Sequence, residues 1–344
     1  MRKDAFAPIP TIRWVGGRVR IIDQRALPRR ELHLDLSTPA ELIRAIHSLA
    51  VRGAPALGIA GAYGIALAAR QAVRSGADPI LASRKAARLI IESRPTAVNL
   101  ASGVERALEA IERSSDEGAS SGRLVQAARS AGDDLLEEDL DASRRMARHG
   151  LRVVPRGRPV LTHCNTGGLA TGGLGTALSV ARAAYHAGLI PEVLVDETRP
   201  LLQGGRLTLW ELKRWGVPAR LLADGASGWA MRVLNVGCVL VGADRVAANG
   251  DTANKIGTLN LSCAARAHGI PFFVVAPRSS FDPSIPNGEA IPIEERDPWE
   301  LLAAAGWRRK DSPAPAAFNP AFDVTPARLI SGWITERGVE RPPF

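Results

Sequence analysis

Cysteine is scarce in this chain: three residues among 344, Cys164, Cys238 and Cys263, lie far apart in sequence. That is too few for a disulfide framework, and no pair has the Cys-x-x-Cys spacing of a zinc site. His163 beside Cys164 is half of a ligand pair with no second half in view, so neither a metal nor any other cofactor is expected. Aromatic residues make up only 5% of the chain, which leaves little to stack on nucleic-acid bases. No apolar run approaches the ~18 residues of a membrane span. The beginning, Met1-Arg-Lys-Asp-Ala-Phe-Ala-Pro8, lacks the apolar core of a signal peptide, so the expected setting is the cytoplasm, with no membrane partner. Basic runs are missing as well. The formal net charge is +9, but most of the positive charge is arginine dispersed through segments that also carry acids, such as Glu105-Arg-Ala-Leu-Glu-Ala-Ile-Glu-Arg113. A nucleic-acid partner is therefore not expected, whereas a small anionic substrate fits.

What is present divides the chain in two. A length of 344 residues allows two domains with separate cores, and the rhythm of the sequence changes near 145/146. Before that point, Thr11-Ile-Arg-Trp-Val15, Gly16-Gly17 and Arg18-Val-Arg-Ile-Ile22 read as a hairpin, with another extended run at Glu31-Leu-His-Leu-Asp35. Thr38-Pro39-Ala40-Glu41 carries an N-cap, a proline at N1 and a glutamate at N3, which predicts a helix start. Helical spacing continues over Ala56–Ala69, Pro79–Glu92, Val98–Arg113 and Arg123–His149, with a loop at Ser114–Gly122. Residues 1–145 are thus expected to form a small antiparallel sheet plus a helical bundle. From 146 to 344, short apolar runs at Pro159–Thr162, Glu192–Val195, Arg220–Ala223, Cys238–Val241 and Phe272–Ala276 alternate with helical patterns. This is the rhythm of right-handed crossovers in a Rossmann-like, doubly wound parallel sheet, and the fold class is α/β.

The most informative stretch is Val160-Leu-Thr-His-Cys164-Asn-Thr-Gly-Gly-Leu-Ala-Thr-Gly-Gly-Leu-Gly175. A β-branched run stops at a cysteine and opens into a glycine-rich loop before an alanine-rich helix. Glycines let a backbone approach an anion, and a helix N-terminus offers N–H groups and a positive dipole end that also favour a thiolate. The pattern is neither the dinucleotide fingerprint nor a Walker A loop. By itself it reads equally as a tight β-to-α turn beside an inert cysteine. Asp196, Asp224 and Asp244 stand just past the next three predicted strands, so a thiol and three carboxylates converge on the carboxyl end of the sheet, where ligands bind in open α/β folds.

With these residues in view, the chain resembles the methylthioribose-1-phosphate isomerase family from about Thr11 to about Val339. The strings that carry the resemblance are Trp14 with Asp23-Gln24 and Leu27-Pro28; Val51-Arg-Gly-Ala-Pro-Ala-Leu-Gly-Ile59; Ser93-Arg-Pro-Thr-Ala-Val-Asn-Leu100; Thr162-His-Cys-Asn165; Asp196-Glu-Thr-Arg-Pro-Leu-Leu-Gln203; Gly242-Ala-Asp-Arg-Val-Ala-Ala-Asn-Gly-Asp251 with Ala253-Asn-Lys-Ile-Gly257; and Phe318-Asn-Pro-Ala-Phe-Asp-Val-Thr-Pro326. Two departures stand out. Thr166, Gly168 and Gly172 replace the usual alanines, and Asp224-Gly225 replaces the usual Asp-Asn.

The resemblance implies an aldose-to-ketose isomerase of methionine salvage, usually a homodimer, acting on a sugar phosphate. It implies Cys164 and Asp244 as the catalytic pair, and Arg52, Gly53, Ala54, Arg94, Gln203, Asn254 and Lys255 as substrate-binding residues. Asp196 and Asp224 are expected to support the site from behind. Chemically, Asp244 suits protonation of a sugar ring oxygen if an apolar setting raises its pKa; its other reading is a cap for a helix past Asn249. Lys255 is expected to head a helix, where an anion would offset the dipole. Cys238 and Cys263 read as buried core in a strand and a helix. Isomerases of ribose 1,5-bisphosphate or 5-deoxyribose 1-phosphate, and non-catalytic regulatory subunits of the translation-initiation nucleotide-exchange factor, are the competing readings.

Overall fold

A computed structural model describes residues 7–94, 97–309, 313 and 315–342 of the chain. Pro95 and Thr96 of the Ser93–Leu100 string, and the first residues of the N-terminal segment, lie outside the described residues. The chain divides into two compact units. One runs to Arg145 and also contains Thr166–Ser179; the other holds Met146–Asn165 and everything from Val180 onward. A single cut at 145/146 does not describe this, because the glycine-rich stretch after Cys164 packs within the first unit.

In the first unit, β1 (Ile12–Val15), β2 (Arg18–Ile22) and β3 (His33–Leu36) form an antiparallel sheet in sequence order. Gly16 and Gly17 take positive φ in the β1–β2 turn, as a two-residue hairpin connection requires. Alternation does the rest: Val19 and Ile21 are buried, while Arg20 faces outward and forks onto Asp35 at 2.6 and 2.7 Å. Helix α1 (Pro39–His47) opens with the full capping box, Thr38 accepting from the Glu41 amide and Glu41 reaching back to the Thr38 amide.

Helices α2 (Ala54–Ser75), α3 (Pro79–Glu92), α4 (Val98–Asp116) and α5 (Ser121–Gly150) follow. The predicted loop at Ser114–Gly122 is shorter than expected, since α4 and α5 each extend into it. Helix α2 is long and apolar enough to cross a membrane by composition alone, yet it is the buried centre of this unit. It packs by close backbone approach. A Cβ on Gly103 of α4 would lie 2.0 Å from the Gly58 carbonyl oxygen, and one on Gly61 would lie 2.8 Å from that of Leu100. Around this contact Ile59, Leu67, Ile90, Leu100, Val104 and Ile111 complete the core.

The second unit is built on a seven-stranded sheet. Its strands are β4 (Val160–Thr162), β5 (Val193–Asp196), β6 (Ala219–Leu222), β7 (Cys238–Val241), β10 (Phe272–Val275), β13 (Gly332–Ile334) and β14 (Val339–Glu340), in the order β14-β13-β10-β7-β4-β5-β6. All neighbours are parallel except β13 and β14. Helices α6 (Ala177–His186), α7 (Leu209–Trp215), α8 (Ser227–Val233) and α9 (Thr258–Ala267) provide crossovers. The chain winds outward from β4 through β5 to β6, then returns to β7 on the other side of β4 and winds the opposite way. The switch point of the topology is therefore between β4 and β7, where a doubly wound sheet opens its ligand crevice. Not anticipated from sequence was a second sheet, β11 (Phe281–Asp282), β8 (Arg245–Ala247), β9 (Thr252–Lys255) and β12 (Phe322–Thr325), in the order β11-β8-β9-β12. A short helix α10 (Trp299–Leu302) lies between β11 and β12 in the chain.

The α2–α4 contact predicts that Gly103→Ala will cost about 2–3 kcal/mol in urea-induced unfolding, because backbone rather than a flexible side chain must give way. Gly122→Ala, in a helix with nothing within 4 Å of the added methyl, will be neutral or gain up to about 1 kcal/mol.

Candidate active site

Cys164 follows β4 and Asp244 follows β7, so the two residues occupy the carboxyl ends of the strands that flank the switch point. Register supports this placement, since Thr162 pairs with Leu240. The Cys164 backbone is held in the left-handed region at φ +63°, a costly state for a residue with a Cβ that persists only where its surroundings over-determine it. They do so from both sides. The Cys164 amide donates to Thr198 Oγ1 at 2.8 Å, and its carbonyl accepts from the Thr208 hydroxyl at 2.7 Å.

Each clamp has its own support. Thr198, itself at φ +66°, is fixed by Asp224, whose two carboxylate oxygens accept from the Thr198 and Arg199 amides at 2.8 and 2.7 Å. Thr208 ends a π-type turn, Gly204–Thr208, that runs into α7. Gln203 precedes this turn and is buried. Asn165 donates to Thr208 Oγ1 at 3.1 Å and to buried Glu211 at 2.7 Å, fixing the turn against the strand end.

His163 points the other way. Its Nδ1 lies 3.1 Å from Asp196 Oδ2 and its Nε2 lies 2.8 Å from the Ile256 carbonyl oxygen. Burial opposes the imidazolium, but the hydrogen bond and charge of Asp196 outweigh it and the His163 pKa is raised. Burial also pushes the Asp196 carboxyl up, against the lowering effect of His163 and of Ser227, whose hydroxyl donates to Asp196 Oδ1 at 2.5 Å. Donor atoms of His163, Asp196 and Asp224 all lie within 4.8 Å of one another, a spacing that a metal ion accepts. Here those atoms are engaged with a hydroxyl, backbone amides, a carbonyl and each other, so the cluster is a hydrogen-bonded scaffold.

Through Ile256 that scaffold reaches the β9–α9 junction. Gly257, at φ +101°, brings its backbone so close to His163 that a Cβ would meet the imidazole at 2.9 Å. Asn254, buried on β9, donates to Thr258 Oγ1 at 3.0 Å. Lys255 is not at the head of a helix, as its sequence context suggested. It ends β9, α9 begins at Thr258, and the dipole argument does not apply. The Lys255 ammonium is instead buried, donating to the Ala321 carbonyl at 2.8 Å and lying 4.6 Å from the Phe322 ring centroid. Asp244 is part-exposed, and its amide donates to the Ala253 carbonyl at 2.9 Å. No helix starts past Asn249 for Asp244 to cap: a turn closed by Asn249, Gly250 and Asp251 leads into β9.

In the first unit, Arg52, Gly53 and Ala54 lead into α2, and Arg94 lies just past α3. Gly53, at φ +97°, lies so close to the backbone of Ala170 that a Cβ would sit 2.3 Å from the Ala170 oxygen. The Gln24 side chain donates to the Leu169 carbonyl at 2.7 Å and the Thr11 hydroxyl to that of Gly168 at 2.6 Å. The strings around Asp23-Gln24 and Arg52-Gly53 are thus tied to one loop. The departures at Gly168 and Gly172 belong to it too. A Cβ on Gly168 would meet the Gly173 oxygen at 2.3 Å and one on Gly172 the Leu136 side chain at 2.6 Å, whereas Gly225 has nothing within 4 Å.

Cys238 is buried in β7, where burial pushes its thiol up to about 12, far from reactivity. Cys263 is a correction: it sits on the exposed face of α9, because the buried stripe of that helix falls on Leu261, Ser262 and Ala265. Thr198, Thr208, Glu211 and Ser227 escaped the sequence reading; Thr198 had a signal, standing within the Asp196–Gln203 string.

Residues 50–342 match the model of the Initiation factor 2 subunit family. The chain is 48% identical to a methylthioribose-1-phosphate isomerase of Roseiflexus castenholzii, over 97% of this chain and 95% of that one. It is 50% identical to one of Alkalilimnicola ehrlichii, over 95% and 92%. Among solved structures it is similar to 5-methylthioribose 1-phosphate isomerase from Pyrococcus horikoshii, with a TM-score of 0.90 and 41% identity over 100% of this chain and 96% of that one. It is also similar to a protein described as translation initiation factor eIF-2B, subunit delta, from A. fulgidus, with a TM-score of 0.83 and 42% identity over 97% and 96%.

Asp196→Ala removes the carboxylate that His163 and Ser227 share, leaving the Ser227 hydroxyl only the Asp224 carbonyl at 2.9 Å, and will cost about 3 kcal/mol in urea unfolding, against about 1 kcal/mol for Ser227→Ala. Equal losses would mean that the imidazole draws nothing from the carboxylate.

Proposed function

The chain belongs to the methylthioribose-1-phosphate isomerases of the initiation factor 2 subunit family, and from that premise we propose that it converts 5-methylthioribose 1-phosphate into 5-methylthioribulose 1-phosphate in methionine salvage, with Cys164 and Asp244 as its catalytic pair. The observation that carries this assignment of residues is the placement of both at the strand ends beside the switch point, with Cys164 held in a strained backbone conformation.

A sugar 1-phosphate has its anomeric carbon locked as an acetal and cannot open to a free aldehyde. The C1–O4 bond must break, and the ring oxygen must gain a proton as it leaves. Asp244, acting as the acid, supplies that proton. Hydrogen must then move from C2 to C1. On the route we favour, the Cys164 thiolate takes the C2 proton as the C1–O4 bond breaks, giving an enol across C1 and C2. Protonation at C1 and loss of the C2 hydroxyl proton yield the ketone. On the other route, the C2 hydrogen shifts as hydride to a cationic C1, and Cys164 stabilises that charge. We assign Arg52, Gly53, Ala54, Arg94, Gln203, Asn254 and Lys255 to substrate binding. A planar guanidinium accepts a phosphate on two N–H groups, which suits Arg52 and Arg94. Lys255, already desolvated, gains more from an anion than an exposed lysine would. Asp196 and Asp224 act on the reaction through His163 and Thr198. We propose a cytoplasmic homodimer, and the catalytic pair does not distinguish a methylthio from a plain deoxy 5-substituent.

Turnover is the deciding measurement. Wild type will convert 5-methylthioribose 1-phosphate, and Cys164→Ser and Asp244→Asn will each lose about a thousandfold in kcat while remaining folded. Folded wild type that is silent on this sugar, on 5-deoxyribose 1-phosphate and on ribose 1,5-bisphosphate would instead favour a sugar-phosphate-sensing interaction module. Substrate deuterated at C2 separates the two routes: label lost to water excludes a pure hydride shift, and complete retention at C1 counts against free proton exchange. Arg94→Ala will raise KM by about tenfold or more, the loss expected for one charge-assisted hydrogen-bonded contact.

A further inference from the structure

Asp139 on α5 has no part in the chemistry above, yet its carboxyl is turned into the first unit. Its Oδ2 accepts from the Gly172 amide at 2.7 Å, and the Thr171 hydroxyl donates to the same carboxylate. With its proton so directed, Thr171 Oγ1 has its lone pairs free to accept from the Gly173 and Gly175 amides, at 3.2 and 2.9 Å. Gly173 and Gly175 stand at φ +141° and +93°, so these bonds fix a backbone path that only glycine takes freely. Asp139 thus sits at the root of a small network that shapes the loop from Gly168 to Gly175. That loop's Ala170 backbone lies against Gly53. Gly172 has no side chain to hold the carboxylate off: a Cβ there would come within 2.9 Å of Asp139 Oδ2.

A carboxylate in this position is costly. Burial raises its pKa to about 6, and the bonds from Gly172 and Thr171 only partly offset that. The loop contributes no titratable side chain. The charged neighbours on α5 are committed elsewhere, Glu138 to Arg106 of α4 and Asp141 to Arg145. On α2 the neighbour of Gly172 is apolar Ile59, and Tyr63 is bonded to Asp133. Because the folded-state pKa is raised, ionised Asp139 weakens the fold above about pH 6, and that penalty disappears as the pH falls through 6 towards 4. An asparagine of the same shape would spare the fold this penalty, so the carboxylate is better explained by what it does to the loop.

We propose that Asp139 is a positioning residue for substrate binding, holding the Thr171–Gly175 backbone so that the loop presses on Gly53 and sets Arg52-Gly53-Ala54 in place for the sugar phosphate. The proposal rests on the isomerase reading and adds a residue to it that touches no substrate.

The test is Asp139→Asn, with Thr171→Val and Thr171→Ser beside it, in the full-length protein. At pH 8, Asp139→Asn and Thr171→Val are expected to raise KM about tenfold with kcat within a few-fold of wild type, Thr171→Ser to keep a near-wild-type KM, and the thermal midpoint of Asp139→Asn to be no lower than wild type. The ratio of the Asp139→Asn KM to the wild-type KM is expected to fall towards one between pH 8 and pH 5, as the wild-type carboxyl takes up its proton. Substrate ionisation cancels in that ratio. A wild-type KM in Asp139→Asn at pH 8, or a ratio that does not change with pH, would overturn the proposal, as would a lowered midpoint with KM unchanged. Titration calorimetry with 5-methylthioribose 1-phosphate keeps the two readings apart. Wild type that binds the sugar without converting it refutes the isomerase while Asp139→Asn still loses tenfold in affinity; wild type that neither binds nor converts it refutes both.

Discussion

The strained turn at Cys164 is the constraint on which the rest of the second unit depends. A cysteine at φ +63° would relax if either neighbouring bond were lost, and both partners are threonines from distant parts of the chain. Thr198 belongs to the end of β5 and Thr208 to the π-type turn before α7, so the conformation of one residue requires β4, β5 and the start of α7 to be in register. Asp224 extends the requirement to the end of β6. Cys164, Asn165, Thr198, Thr208, Glu211 and Asp224 are paired with one another, which offsets the desolvation of these polar groups.

The sheet topology explains where Cys164 and Asp244 lie. The parallel strands β4, β5, β6, β7, β10 and β13 have their carboxyl ends on one edge, and winding reverses between β4 and β7, the place where such a sheet opens its crevice. Cys164 and Asp244 flank it. The second sheet fixes the backbone of Asp244 through its bond to Ala253 and carries Asn254 and Lys255 on β9. His163 joins the two arrangements, with Asp196 on one side and Ile256 on the other.

The first unit is held by a different device. Helices α2 and α4 meet at glycines, so backbone touches backbone and dispersion contacts replace the interlocking of large side chains. The same economy of side chains appears at Gly53 against Ala170. Small residues let the loop after Cys164 lie flat on the start of α2, and Thr11, Gln24 and Asp139 then supply the hydrogen bonds that a glycine-rich path cannot make for itself.

Local signals were legible in the sequence wherever they depended on near neighbours. The capping box at Thr38–Glu41, the hairpin at Gly16-Gly17, α3 and β7 all fall where spacing put them, because caps, turns and periodicity are decided within a few residues. The α/β rhythm announced the doubly wound sheet, and motif strings identified the isomerase family. Other features needed the tertiary structure. The β11-β8-β9-β12 sheet is made of strands of two to four residues, too short for alternation to mark. Lys255 was read as the head of a helix and Cys263 as core, because register along a short element is fixed by what packs against it. The Thr11–Gly168 bond joins residues 157 apart in sequence, and Thr208 gives no sign of its role until the chain is folded. Sequence alone determined the elements that depend on near neighbours and the family the chain belongs to; only the folded chain decided which distant hydroxyls, amides and carboxylates hold the cysteine in its strained turn, because hydrogen-bond partners are chosen by distance in space.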